Sequence, residues 1–121
     1  MRGPFSWARL LHNAPMMMNA TCEKLIEVLT DGITDQIRID AQELASSVDL
    51  DDGQELTWLA SSFIDGAMVN IFFCEADGED EQFINTLHAD GGQLIGFTGP
   101  FLSYAEAKRD AGPAPQGWNE V

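Results

Sequence analysis

The groups in this chain that could do chemistry are overwhelmingly carboxylates: 20 acidic residues stand among 121, against 6 lysines and arginines. Two clusters are dense. Asp49, Asp51, Asp52 and Glu55 surround the segment DLDDG, and Glu75, Asp77, Glu79, Asp80 and Glu81 crowd EADGEDE. The first chemistry to test is binding of a hard cation. A calcium loop of the EF-hand type needs acids at positions 1, 3 and 5, glycine at 6 and glutamate at 12. With Gly53 at position 6, Val48 falls at 1 and Leu59 at 12; with Gly78 there, Phe73 and Ile84 take those places. Both alignments fail. A small cation-binding module stays a lesser alternative, and no metal or other cofactor is expected.

Other chemistries fare no better. Two histidines, His12 and His88, and two cysteines, Cys22 and Cys74, show no C-x-x-C or H-x-x-x-H spacing, which disfavours zinc. His88 reads as an ordinary surface or edge histidine. The cysteines read as reduced, small hydrophobes; the alternative, a bridge between them, needs an oxidising compartment. GGQLIGFTG is glycine-rich but lacks the lysine of a phosphate-binding loop. No G-x-S-x-G elbow occurs, and Ser61-Ser62 sit within an apolar run. The acids lie in polar stretches, whereas a catalytic carboxylate needs a half-buried site that moves its pKa. The chain is therefore not expected to be an enzyme.

What remains is the charge itself. The formal net charge is −14, and over residues 19–121 it is −16, because Arg2 and Arg9 precede every acid. Direct nucleic-acid binding needs a basic footprint and is excluded. Anionic membrane surfaces are excluded by the same sign, and no apolar run approaches the ~20 residues of a membrane span. Solvation of a small soluble domain explains a modest excess of acid, not one this large and this clustered. A rigid carboxylate array can stand in for DNA phosphates, which carry one charge per ~1.7 Å of duplex axis. Compact, acidic, motif-free chains of this kind are similar in class to phage inhibitors of bacterial defence, anti-CRISPR proteins included, and to immunity proteins that neutralise nuclease toxins. The expected function is accordingly that of a non-enzymatic inhibitor. It would block a basic nucleic-acid-handling protein as a DNA mimic, binding through Asp49, Asp51, Asp52, Glu55, Glu75, Asp77, Glu79, Asp80 and Glu81. The alternative is an immunity or adaptor protein that binds by shape and hydrophobic contact. A cytoplasmic monomer or small homo-oligomer suits either.

The elements that must position these acids are organised around residues 54–75. Asp65-Gly66 divides this apolar stretch, and aspartate-glycine between apolar runs signals a two-residue hairpin turn. Pairing Ile64 with Ala67 sets Leu56 opposite Glu75 and brings the two acidic clusters together. It also sets Leu56, Trp58, Ala60, Ile64, Val69, Ile71 and Phe73 on a core face, and Phe72 and Cys74 on a mixed one. Residues 54–64 also fit an amphipathic helix capped by Gly66, but the strand pattern and turn type favour the hairpin. Helices are expected over 19–30, with Cys22, Leu25, Ile26 and Leu29 as the apolar stripe, over 33–48, and over 103–111 with a Ser103/Glu106 capping box. Further strands are expected over 82–89 and 93–98, where Gly96 marks a weak point or a bulge. Residues 1–18 read as a dispensable or disordered leader. Their arginines faintly resemble a mitochondrial presequence, and an extension ahead of a start at Met16, Met17 or Met18 is the preferred reading. Residues 113–121 read as a loose tail. The sum is one acidic α+β domain over 19–112, an antiparallel β-meander of three or four strands with two N-terminal helices and a short C-terminal helix packed on one face.

Overall fold

A computed structural model of the chain describes residues 17–31, 41–89 and 94–121. The fold is α+β. Helices α1 (Ala20–Thr30) and α2 (Ala41–Ser47) precede strands β1 (Gln54–Ile64), β2 (Ala67–Ala76), β3 (Gln82–His88) and β4 (Leu94–Phe101); helix α3 (Tyr104–Ala111) and a two-residue strand β5 (Asn119–Glu120) follow. The five strands form one antiparallel sheet in the order β4-β3-β2-β1-β5. The leader read over 1–18, except Met17 and Met18, lies outside the described residues. So do residues 33–40 of the helix expected over 33–48, the turn at 90–92 and the first residue of the strand expected over 93–98. No helix among the described residues is long and apolar enough to cross a membrane.

The β1–β2 hairpin turns where its sequence demands. Asp65 (φ 54°) and Gly66 (φ 83°) both take positive φ, as a type I′ turn requires, and Ile64 pairs with Ala67. Residues 54–64 are strand throughout. The expected register fails further out. A bulge between Trp58 and Ala60 makes Leu59 an extra residue, so Leu56 pairs with Cys74 and Glu55 with Glu75. Because side chains alternate with period two, one added residue exchanges faces. Leu56 and Trp58 join Phe72 and Cys74 on one face, while Ala60, Ile64, Val69 and Ile71 stay on the other. The face expected to be mixed is thus core: Phe72 and Cys74 are fully buried.

Helices cover both faces of the sheet, not one. On the first, the α1 stripe of Cys22, Leu25, Ile26 and Leu29 and Leu44 and Ala45 of α2 pack against Trp58, Phe72, Cys74, Ile84 and Phe97. On the second, α3 lies over β3. The Asn85 side-chain amide donates to the Ala107 carbonyl at 2.9 Å, and Phe83 stacks on Phe73 and Tyr104. Ser103 caps α3 as its spacing predicts, accepting from Glu106 N. The β3–β4 ladder has two register shifts, and one falls beside Gly96, which pairs with Leu87 while Leu94 pairs with His88.

Two expectations need correction. His88 is not a surface histidine: it is buried, with Nε2 2.9 Å from Thr86 Oγ1. The C-terminal residues are tied down as well. Asn119 and Glu120 pair with Ser61 and Ala60, Val121 N donates to the Leu59 carbonyl, and Ser62 Oγ donates to the Gly117 carbonyl. The Glu120 carboxylate accepts from Lys108 Nζ (2.6 Å) and Tyr104 Oη (2.7 Å).

Trp58 is buried on the helix-facing side, and its indole N–H reaches Asn70 Oδ1 at 3.3 Å. Trp58→Ala should therefore cost ~3–5 kcal/mol of stability, the range for large aromatic truncations in cores. Urea denaturation of the two proteins measures it; a loss below ~1 kcal/mol would contradict the packing described.

Candidate functional site

The two acidic clusters meet at the open end of the hairpin. The meeting begins with backbone. Asp77 N donates to the Gly53 carbonyl at 2.9 Å, carrying the β1–β2 pairing one step past the strand ends. Gly53 has φ 84° and lies hard against Asp77: a Cβ there would stand 2.4 Å from Asp77 Oδ2. The positive φ is what favours glycine at this position, since the Asp77 side chain could turn away. The 49–53 loop closes on itself through Gln54 N to the Asp51 carbonyl (3.1 Å) and Asp51 N to Gln54 Oε1 (2.9 Å). The 77–81 turn closes through Glu79 N to the Ala76 carbonyl at 3.1 Å.

Helix α1 braces this end of the sheet. Its N-cap Asn19 donates through Nδ2 to the carbonyls of Cys74 and Asp80, both at 2.9 Å. Thr21 Oγ1 donates to the Glu75 carbonyl. Ala20 N donates to Glu79 Oε1 at 3.1 Å, so one carboxylate sits at the positive end of the helix dipole. Lys24 Nζ lies 3.2 Å from Asp51 Oδ2 and is, among the described residues, the cation that reaches the cluster.

The result is a groove of about 310 Å³ lined by Gly53, Gln54, Glu55, Glu75, Ala76, Asp77, Gly78, Glu79 and Glu81. Of the nine expected partner-binding acids, Glu55, Glu75, Asp77, Glu79 and Glu81 line it; Asp49, Asp51, Asp52 and Asp80 lie outside its walls. All nine are exposed except Glu75, which is half-buried. Glu55 and Glu75 sit directly opposite on neighbouring strands, a placement that destabilises like charges. The Glu75 carboxyl is pushed above the ordinary glutamate range, first by partial desolvation, then by the charges of Glu55 and Glu81, with a hydrogen bond to Glu81 adding to it. Among the described residues no group of three or more His, Cys, Asp or Glu side chains is arranged to hold a metal ion. The groove can attract extended or single positive charges, and nothing in it resembles a nucleophile with its base.

Sequence reading found the acids but not their supports. Gly53 and Gln54 line the groove, and Asn19 and Thr21 hold its rear wall. Asn19 carried a signal in plain sight: an asparagine directly ahead of an apolar helical stripe is a preferred N-cap. Its long-range bonds to β2 and the acidic turn had none. Comparison with known protein families, with characterised proteins and with solved structures gives no match for this chain.

The raised Glu75 pKa has a consequence of definite sign. A carboxyl that is more easily protonated in the folded than in the unfolded state favours folding at low pH. That contribution is lost as pH rises through the folded-state value. Glu75→Gln removes the titration and the repulsion together. At pH 7 the variant should melt above the wild type, and the gap should close below the ordinary glutamate value of about 4.3. Thermal melts from pH 3 to 8 test this; a wild type that melts higher at pH 7 refutes it.

Proposed function

We propose that this protein is a non-enzymatic inhibitor that binds and blocks a basic nucleic-acid-handling protein by presenting carboxylates where its target expects phosphates. The observation that carries this reading is the Glu55–Glu75 pair. Two like charges are held opposite each other in a regular ladder, inside a groove that adds Asp77, Glu79 and Glu81. Such an arrangement costs stability, and its ordinary alternative, a solvated acidic surface, needs neither the convergence nor the bracing by α1. The summed field of the platform attracts a basic groove from a distance and sets the approach, with the closest contacts along the two strand ends and the flanking turns. In this reading the phage anti-defence proteins are the nearest functional class.

The variant that tests it is Asp52→Asn, Glu55→Gln, Glu75→Gln and Glu81→Gln. It spares Asp51, which pairs with Lys24, and Glu79, which sits at the α1 N-terminus. Immobilised wild type, exposed to a bacterial lysate, should retain nucleic-acid-binding proteins that duplex DNA displaces. Association with the captured protein should slow steeply between 0.01 and 0.15 M salt, as the Debye length falls from ~30 to ~8 Å. The variant should associate more slowly and with a flatter salt dependence. Equal affinity and an equal salt slope would defeat the charge-mimic mechanism. The hydrophobic-contact reading would then rest on Phe63, which is 52% exposed on β1 and lies roughly 26 Å along the strand from Glu55. Phe72 is fully buried and cannot contribute to such a surface.

A further inference from the structure

The chain has two cysteines, 52 positions apart, and the fold sets them side by side. Both are fully buried, one on α1 and one on β2. Both belong to the one buried core cluster between α1 and the sheet. The backbones that carry them are joined by a single side chain: Asn19 Oδ1 accepts from Cys22 N, and Asn19 Nδ2 donates to the Cys74 carbonyl, each at 2.9 Å. Thr21 and Glu75, the neighbours of the two cysteines, are bonded to each other as well. A small hydrophobe at either position would satisfy the packing; two cysteines in one cluster, with their main chains linked through Asn19 and through Thr21, are placed to form a bond.

We propose that Cys22 and Cys74 are a reversible redox site, a dithiol that closes to an intrachain disulfide stapling α1 to β2. The oxidant class is a small-molecule disulfide. One cysteine thiolate attacks it, expelling one thiol and forming a mixed disulfide; the second cysteine then attacks the protein sulfur and expels the other thiol. Two S–H bonds are lost, one S–S bond forms, and the two electrons and two protons leave on the two released small thiols. The neighbouring Cys22 side chain and burial hold the Cys74 thiol well above its ordinary range, so in the folded protein Cys74 is a poor nucleophile. Closure is therefore fast while the chain is open, during folding, and slow afterwards. The bridge would restrict a long stretch of the unfolded chain, the circumstance in which a disulfide stabilises most. It also lies directly behind the acidic groove, since Cys74 precedes Glu75 and Asn19 holds Asp80. The proposal does not depend on what the groove binds.

The full-length chain is unfolded under reductant and refolded in a mixture of oxidised and reduced glutathione. It is then quenched in acid, alkylated under denaturing conditions, weighed intact and peptide-mapped. The expected product is a monomer with no alkylated cysteine and a Cys22–Cys74 cross-linked peptide. It should melt roughly 10 °C above the reduced form, and dithiothreitol should reverse both changes. Native protein held in the same buffer should reach the same product more slowly. Two alkylated cysteines, glutathione adducts, disulfide-linked dimers, or a bridged monomer that melts no higher than the reduced one would each overturn the proposal.

Discussion

The structure depends on the hydrogen bonds of one buried asparagine. Asn19 is 2% exposed, and every polar atom it owns is engaged. Its backbone N–H donates to Gln82 Oε1 at 2.7 Å, its carbonyl accepts from Glu23 N, and its Oδ1 accepts from Cys22 N. Its Nδ2 supplies one hydrogen to Cys74 and one to Asp80. Helix, second strand, third strand and acidic turn thus converge on one side chain. A buried polar group left without partners costs about 1–3 kcal/mol, so these elements hold each other in register: displacing any one strands groups on the others. Gln82 extends the joint by donating to the Met17 carbonyl, and Met18 packs against the core. Met17 and Met18, ahead of the first helix, thus belong to the same joint.

What sequence could and could not disclose follows from the range of each interaction. The hairpin turn was legible because Asp65 and Gly66 answer a local demand, positive φ at two successive residues. The α1 stripe and the Ser103 cap were legible for the same reason: each is decided within one or two turns of helix. The bulge at Leu59 was not. LTWLASSFI alternates too weakly to say which residue is extra, since Trp58 and Ala60 are both apolar and both end up buried, on opposite faces. That one residue decides whether the sheet has one core face or two. It explains why Phe72 and Cys74, which read as a mixed surface, lie inside.

The C-terminal segment misled in a related way. PAPQGWNEV is rich in turn formers and short of apolar residues, the composition of a loose end. Its attachment is made by backbone pairing to the β1 edge and by Glu120, whose carboxylate is held below its ordinary range by Lys108 and Tyr104. Neither contact leaves a trace in periodicity. It does protect an edge: β1 is an outer strand of the four-stranded meander, and two residues of β5 cover the stretch where the bulge disturbs its ladder. The acidic site stands between these cases. Its carboxylates were legible as clusters, and hairpin topology was enough to bring them together. The bulge shifted the facing pair from Leu56–Glu75 to Glu55–Glu75, turning a mixed contact into a like-charge one.

That shift bears on why the charge is tolerated and what it can do. Repulsion between carboxylates on a flexible loop relaxes by motion, and the field they present is diffuse. Here the backbones of Glu55 and Glu75 are set by the ladder, that of Asp77 by its bond to the Gly53 carbonyl, and the Glu79 carboxylate accepts from Ala20 N. The stability that offsets the strain comes from elsewhere, from a sheet buried on both faces by Phe72, Ile71, Ile84 and their helices. A preorganised backbone would lose little entropy on docking the partner proposed above. The bulge, the two-sided core and the bracing by Asn19 are thus parts of one arrangement, in which core packing sustains a surface that would otherwise fly apart.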